Sequence, residues 1–248
     1  LPEDGTLIIN AETPEYKMIT EGLNCEVLTY GLDHDADYMA SDISFNAYGH
    51  PTFTCSFRGE LVDTFSLHVP GIHNVSNALA TIALAQKLGL DAAAIQKGFA
   101  TFTGTDRRFQ YKGTVSGVTV IDDYAHHPTE ITATLNAAEN YPHKTTWCVF
   151  QPHTYTRTKA LLGDFAQALT LADKVVLADI YAAREKNTIG ISSRDLQTEI
   201  EKLGTECHYF PTFDEIENFL LENCESGDLL ITMGAGDVVK IGENLLGQ

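Results

Sequence analysis

Cations are scarce in this chain: Lys and Arg total 16 among 248 residues, against 34 Asp and Glu, for a formal net charge of -18. So negative a surface repels nucleic acid and anionic lipid, which excludes polynucleotides and membrane surfaces as partners. A phosphorylated ligand must then be met by locally gathered cations or by a metal ion, so the adjacent pair Arg107-Arg108 stands out. Long hydrophobic runs are also missing, and a helix needs about 20 consecutive apolar residues to cross a bilayer. No Gly-Lys dipeptide occurs, which excludes a G-x-x-x-x-G-K-[ST] phosphate loop within these residues. The five cysteines (Cys25, Cys55, Cys148, Cys207, Cys224) are odd in number, far apart and free of C-x-x-C pairing. They read as reduced thiols of a cytoplasmic protein rather than a disulfide framework or a zinc site. The nine histidines never take the H-E-x-x-H spacing, so no residue is assigned as a metal ligand. The first residue is leucine, and the expectation is that the numbering begins inside a longer protein.

What is present is a 44% hydrophobic chain, enough for a sizeable core in one or two domains. Residues 1–103 read as the tail of one α/β domain. Leu7-Ile8-Ile9 and residues 25–30 suggest buried strands flanking a short helix over 14–21. Residues 38–69 alternate, with turn signals at Tyr48-Gly49 and Arg58-Gly59, and suggest antiparallel strands. Val75, Ala78, Leu79 and Ile82 follow the one-face helical spacing, which predicts a helix over 73–89 ended by Gly89. A second helix is expected over 92–99, and residues 101–106 look like a hinge. Residues 104–248 then begin with a hairpin over 109–121, turning near Gly113 to Gly117. Strands follow over 146–150, 175–180, 207–210 and 229–232. Helices are expected over 128–140, 158–169, 193–202, 213–222 and 237–246. Strands alternating with helices imply an α/β fold, here a Rossmann-like, largely parallel sheet with helices on both faces.

The segment from Val120 to Ile131 carries the strongest chemical signal. A short apolar run ends in Asp122, Asp123, Tyr124, His126 and His127, and Pro128 then opens an amphipathic stretch. Proline suits the first helical position, where its missing N–H has no partner to lose. The polar cluster is thereby placed at a strand's carboxyl end, facing a helix amino terminus, where open α/β sheets bind ligands. Gln151-Pro-His-Thr-Tyr-Thr-Arg-Thr158 follows a second apolar strand and belongs to the same rim, with Arg157 as a carboxylate or phosphate ligand and Thr158 able to cap a helix.

Other positions admit two readings. Asn74 and Asn77, one helical turn apart, offer amides that match an adenine edge, or Asn74 caps the helix and Asn77 is incidental. Arg107 and Arg108 clamp an anion, or form a solvated ion pair with Asp106. Asp122 serves a ligand, or turns the chain. Residues 182–186 supply charge to the rim, or form a surface ion-pair loop. Gly234-Ala-Gly-Asp237 begins like a dinucleotide fingerprint, but Val239 stands at the third glycine, so a turn capped by Asp237 is the better reading. Asp35, Asp37 and Asp42 read as solvated surface.

Five stretches occur together in order: Gly71-Ile-His-Asn-Val-Ser-Asn-Ala78, Arg107-Arg-Phe109, Asp122-Asp-Tyr-Ala-His-His-Pro-Thr-Glu130, Phe150-Gln-Pro-His-Thr-Tyr-Thr-Arg-Thr158 and Gly234-Ala-Gly-Asp237. Together they resemble the peptidoglycan amino-acid ligases, specifically those that add L-alanine to UDP-N-acetylmuramate. The resemblance implies that residues 1–103 are the C-terminal part of a central ATP-binding domain and 104–248 a C-terminal ligase domain. It implies ATP as the phosphoryl donor, with Asn74, Asn77, Arg108 and Asp123 contacting it. It implies Tyr124, His126, His153 and Arg157 around UDP-N-acetylmuramate and L-alanine, with Arg108, His126 and Arg157 catalytic. Thr154 stands where some members carry an arginine. Magnesium ligands and the phosphate loop are implied upstream of Leu1, so these residues alone are expected to be inactive.

Overall fold

The computed structural model describes the whole chain, Leu1–Gln248. It divides into two compact units, Leu1–Thr103 and Gly104–Gln248, each with its own core.

The first unit runs β1 (Thr6–Asn10), α1 (Tyr16–Thr20), β2 (Glu26–Gly31), β3 (Tyr38–Phe45), β4 (Pro51–Phe57), β5 (Glu60–Ser66), α2 (Ile72–Lys87) and α3 (Ala92–Thr101). Its sheet has the order β1-β2-β3-β4-β5, parallel across the first three strands and antiparallel across the last three. Arg58 and Gly59, with φ of 50° and 84°, make the two-residue turn between β4 and β5, a geometry that fits the twist of paired strands. Val75, Leu79 and Ile82 of α2 pack with Phe53 and Phe65 of the sheet. β1 is half-buried rather than buried, because it is an edge strand. Asp37 is not solvated surface. Its carboxylate accepts from the Thr29 backbone N–H at 2.9 Å and pairs with Arg58 at 2.8 Å. α2 starts at Ile72 with Gly71 (φ 96°) at the capping position, so Asn74 lies inside the first turn and does not cap it.

The second unit runs β6 (Gln110–Val115), β7 (Val118–Asp123), α4 (Pro128–Glu139), β8 (Thr146–Phe150), α5 (Tyr155–Ala160), α6 (Leu162–Leu169), β9 (Lys174–Leu177), α7 (Ser193–Lys202), β10 (Glu206–Tyr209), α8 (Phe213–Asn223), β11 (Leu229–Met233) and α9 (Val239–Leu246). The sheet order is β10-β9-β8-β11-β7-β6, with only β6 antiparallel. Parallel crossovers are right-handed, so the direction of travel across the sheet decides which face a helix covers. From β7 to β10 the chain steps one way, and α4, α6 and α7 share one core with Ile121, Phe150 and Leu177. The return from β10 to β11 reverses direction. α8 therefore covers the other face, where α9, after the last strand, also packs, against Val120, Val149, Val176 and Leu230. Alternation along each buried strand splits its residues between these two cores.

Two helix expectations change. The helix over 158–169 is two helices broken at Leu161. Thr158 lies inside α5, and its hydroxyl donates to the Thr154 carbonyl at 2.7 Å, a back-bond that bends helices. The last helix begins at Val239 rather than Asp237. Asp237 caps nothing with its side chain and instead lies 3.4 Å from Lys240.

Candidate active site at the carboxyl ends of the second sheet

β7, β11 and β8 are adjacent, and their outgoing connections diverge: those after β7 and β8 lead to α4 and α5, that after β11 to α9 on the opposite face. A crevice forms where neighbouring connections part in this way. The middle connection is Gly234-Ala-Gly236, and its glycines let the turn pack directly against Gln151 and Tyr181. A Cβ at Gly234 would sit 2.8 Å from the Gln151 carbonyl oxygen, at a φ of 146° that suits only glycine. A Cβ at Gly236 would sit 2.2 Å from Gln151 Oε1 and 3.0 Å from the Tyr181 ring.

Rings from flanking strands consequently meet in a ladder. Tyr181, after β9, stacks on His153 with centroids 5.5 Å apart. His153, after β8, meets His126 edge-on at 5.9 Å, and His126 meets Tyr124, both after β7, at 5.5 Å. The guanidinium carbon of Arg107 caps the ladder 4.9 Å from the Tyr124 ring centroid. Tyr124, His126 and His153 therefore come together on one rim, and Arg157 joins them from α5, close enough for its charge to act on His153. Burial first, and then the charges of Arg157 and His126, hold the His153 imidazole below its ordinary pKa of 6.5. His126 is anchored through its backbone N–H, which donates to Glu130 Oε2 at 2.9 Å, and its Nδ1 lies 3.3 Å from the same carboxylate oxygen.

Three buried polar atoms have no hydrogen-bond partner: Gln151 Oε1, His153 Nδ1 and Arg157 Nη1. An unmade bond at a buried donor or acceptor costs about 1–3 kcal/mol, so such atoms are rare in a native protein. All three lie within seven residues on the connection after β8.

The two aspartates ending β7 are occupied by the protein itself. Asp122, 0% exposed, accepts from Arg107 Nε at 2.7 Å and from the Thr232 hydroxyl at 2.7 Å. Burial pushes its carboxyl up, against the pull of Arg107 and Thr232. Arg107 therefore pairs with Asp122 and not with Asp106, and its remaining nitrogens donate to the carbonyls of Gly234 at 2.7 Å and Gly236 at 3.3 Å. Asp123 accepts from the backbone N–H groups of Phe109 and Ala125, each at 2.8 Å, and burial likewise raises its pKa. Arg108, next to Phe109, is exposed, with its guanidinium 6.0 Å from the Tyr124 ring. The loop 182–186 does not pair its charges internally. Glu185 bonds the Thr156 backbone N–H at 2.9 Å instead. Gln151 lies in the 151–158 segment assigned to the rim and Glu185 in the 182–186 segment, without a role assigned to either side chain. Tyr181 is the rim residue that sequence reasoning missed, signalled only by the strand before it.

In the first unit, Asn74 and Asn77 stand side by side. Asn77 Nδ2 donates to Asn74 Oδ1 at 3.2 Å, and Asn74 Nδ2 donates to the Pro70 carbonyl at 2.8 Å. Both line a cavity of about 420 Å³ between α2 and α3, walled by Leu67, Ala78, Ile95 and Phe99.

Residues 107–236 match the family described as Mur ligase, glutamate ligase domain, and residues 1–85 match the Mur ligase middle domain. The chain belongs to the Mur ligase family. Among curated relatives, the UDP-N-acetylmuramate–L-alanine ligase of Lachnospira eligens is 56% identical over 247 residues, which are 99% of this chain and 54% of that protein. The enzyme of the same name from Agathobacter rectalis is 57% identical over 242 residues, 98% of this chain and 53% of that one. The solved UDP-N-acetylmuramate-alanine ligase of Thermotoga maritima aligns with a TM-score of 0.78 at 26% identity, covering 98% of this chain and 59% of that chain. The chain thus spans about half the length of the curated relatives it matches. The Mur ligase match over 107–236 takes in Arg107, the ring ladder, Arg157 and the glycine turn.

Proposed function

We propose that this chain is part of an ATP-dependent ligase that joins L-alanine to the lactyl carboxylate of UDP-N-acetylmuramate, forming a peptidoglycan precursor. The observation that carries the reading is Arg157 Nη1, a buried guanidinium N–H with no partner, on a rim shared with His126, His153 and Tyr124. A guanidinium fork matches a carboxylate or an acyl phosphate. The curated relatives support the choice of substrate through their names.

In the proposed reaction a lactyl carboxylate oxygen attacks the γ-phosphorus of ATP. The bond to the bridging oxygen breaks, ADP leaves, and an acyl phosphate remains. The alanine nitrogen attacks the acyl carbon and loses a proton, and phosphate departs with the bonding electrons to leave an amide. Such transfers depend on positioning and on charge stabilisation. Arg157 and His126 hold carboxylates in reach, with Tyr124 beside them. His153, its pKa held down by burial first, stays uncharged near neutral pH and accepts a hydrogen bond from the amine. Arg108 is the exposed cation for phosphate oxygens. Asp123 serves the nucleotide side by fixing Phe109, and through it Arg108. Asn74 and Asn77 present paired amides to the adenine edge beside an apolar-walled cavity suited to a planar base. No three His, Cys, Asp or Glu side chains of this chain are grouped to hold a metal ion. Magnesium, which takes one or two carboxylates together with phosphate oxygens, would come with the nucleotide and screen its phosphate charge. No helix is long and apolar enough to cross a membrane. The five cysteines are free, and a cytoplasmic setting belongs to the same proposal.

Substrate choice tests the reading. The full-length protein, given ATP and UDP-N-acetylmuramate, should release ADP on addition of L-alanine, whereas the 248 residues alone should not. Turnover only with a preformed tripeptide would assign it to a recycling ligase. Tight binding of labelled ATP without turnover of any kind would make it a non-catalytic module.

A further inference from the structure

Arg157 sits in α5, a helix of 6 residues. So short a helix does not hold its own shape in water. It is entered through Thr154, whose φ of 67° is disfavoured for a β-branched residue. Thr154 makes no capping bond with its side chain. The segment is held instead from the connection after β9. Thr154 N–H donates to the Tyr181 carbonyl at 2.9 Å, and Tyr181 N–H donates to the Pro152 carbonyl at 2.8 Å. Beyond Tyr181, Glu185 supplies the cap that Thr154 does not. Its carboxylate accepts from the backbone N–H of Thr156 at 2.9 Å and, through the other oxygen, from the Thr156 hydroxyl. These bonds hold the Glu185 carboxyl below its usual range.

We infer that Glu185 is a positioning residue for Arg157, acting from a separate connection by capping the helix that carries the guanidinium. The bound carboxylate of Glu185 sets where α5 starts, and so where Arg157 Nη1 points. The inference rests on the reading of Arg157 as the ligand of a substrate carboxylate. Glu185 itself touches no substrate.

In the full-length ligase, Glu185→Ala should raise KM for the substrate whose carboxylate Arg157 holds, on the order of tenfold, as for loss of a helix cap. KM for ATP should stay within about twofold, because α5 carries no proposed nucleotide contact. Glu185→Gln keeps an oxygen for the Thr156 N–H and should restore most of the wild-type value. In an Arg157→Ala background, Glu185→Ala should add nothing, since its effect passes through the missing guanidinium. Hydrogen exchange gives a readout independent of turnover: the Thr156 amide should exchange faster in Glu185→Ala and return to normal in Glu185→Gln. Additive losses in the double variant, or unchanged exchange at Thr156, overturn the inference. If Arg157→Ala impairs catalysis while Glu185→Ala does not, positioning fails and the proposed reaction stands. If Arg157→Ala leaves the kinetics untouched, the carboxylate reading fails and takes this inference with it.

Discussion

At the scale of single residues, charge in the second unit is divided between structure and chemistry. Of the adjacent arginines, Arg107 is spent on structure: it neutralises buried Asp122 and pins both carbonyls of the glycine turn. Removing one member of a buried pair strands the other charge, so Arg107→Ala should cost roughly 3–5 kcal/mol in denaturant unfolding. A loss below about 1 kcal/mol, the size of a surface pair, would mean that the contact with Asp122 is incidental. Gly234→Ala should also destabilise, by about 1–3 kcal/mol, because the added methyl meets backbone at a φ that side chains rarely adopt. His153 should titrate below its ordinary 6.5 in an NMR pH series. The sign follows from linkage: the unfolded chain binds that proton more readily, so stability from this group falls as pH drops through 6.5 toward the folded value. A midpoint above 6.5 would show the ring neither buried nor near Arg157.

Single elements differ in how far the sequence alone specifies them. The strand over 146–150 is observed with those bounds, because five consecutive buried residues leave one way to read an apolar run between turn signals. The rim address of Tyr124 and His126 was legible for the same reason, as polar residues that end such a run ahead of Pro128. The break at Leu161 was not legible, since a lone glycine such as Gly163 is tolerated inside a helix and nothing in the sequence marks the bond from the Thr158 hydroxyl to the Thr154 carbonyl. Nor was any pairing that joins distant segments: Thr232 meets Asp122 across 110 residues, and Glu185 meets Thr156 across 29. In the first unit, the link from β2 to β3 through Asp37 escaped notice because a carboxylate in an acidic stretch looks like surface. Burial works against that carboxylate, but hydrogen bonds from Arg58 and Thr29 outweigh it and hold its pKa below 3.8. The stabilisation is fully present above pH 3.8 and is lost as pH falls through the lower, folded value. Asp37→Asn should therefore lower stability at neutral pH and flatten its fall on acidification. An unchanged acid profile would remove Asp37 from the account.

For the whole molecule, residues 104–248 bury their own sheet on both faces, one core under α4, α6 and α7 and the other under α8 and α9. That segment expressed alone should unfold in one cooperative denaturant transition; a gradual, non-cooperative change would show that its core is incomplete. With a net charge of -18 cations are scarce, and half-buried Arg157 carries a guanidinium nitrogen, Nη1, that is buried without a partner. The most direct test is the steady-state kinetics of Arg157→Ala in the full-length protein, with ATP, UDP-N-acetylmuramate and L-alanine varied in turn. A roughly 100-fold fall in kcat/KM for UDP-N-acetylmuramate or L-alanine, with KM for ATP nearly unchanged, is the predicted result. Constants equal to those of the unaltered protein would contradict the account.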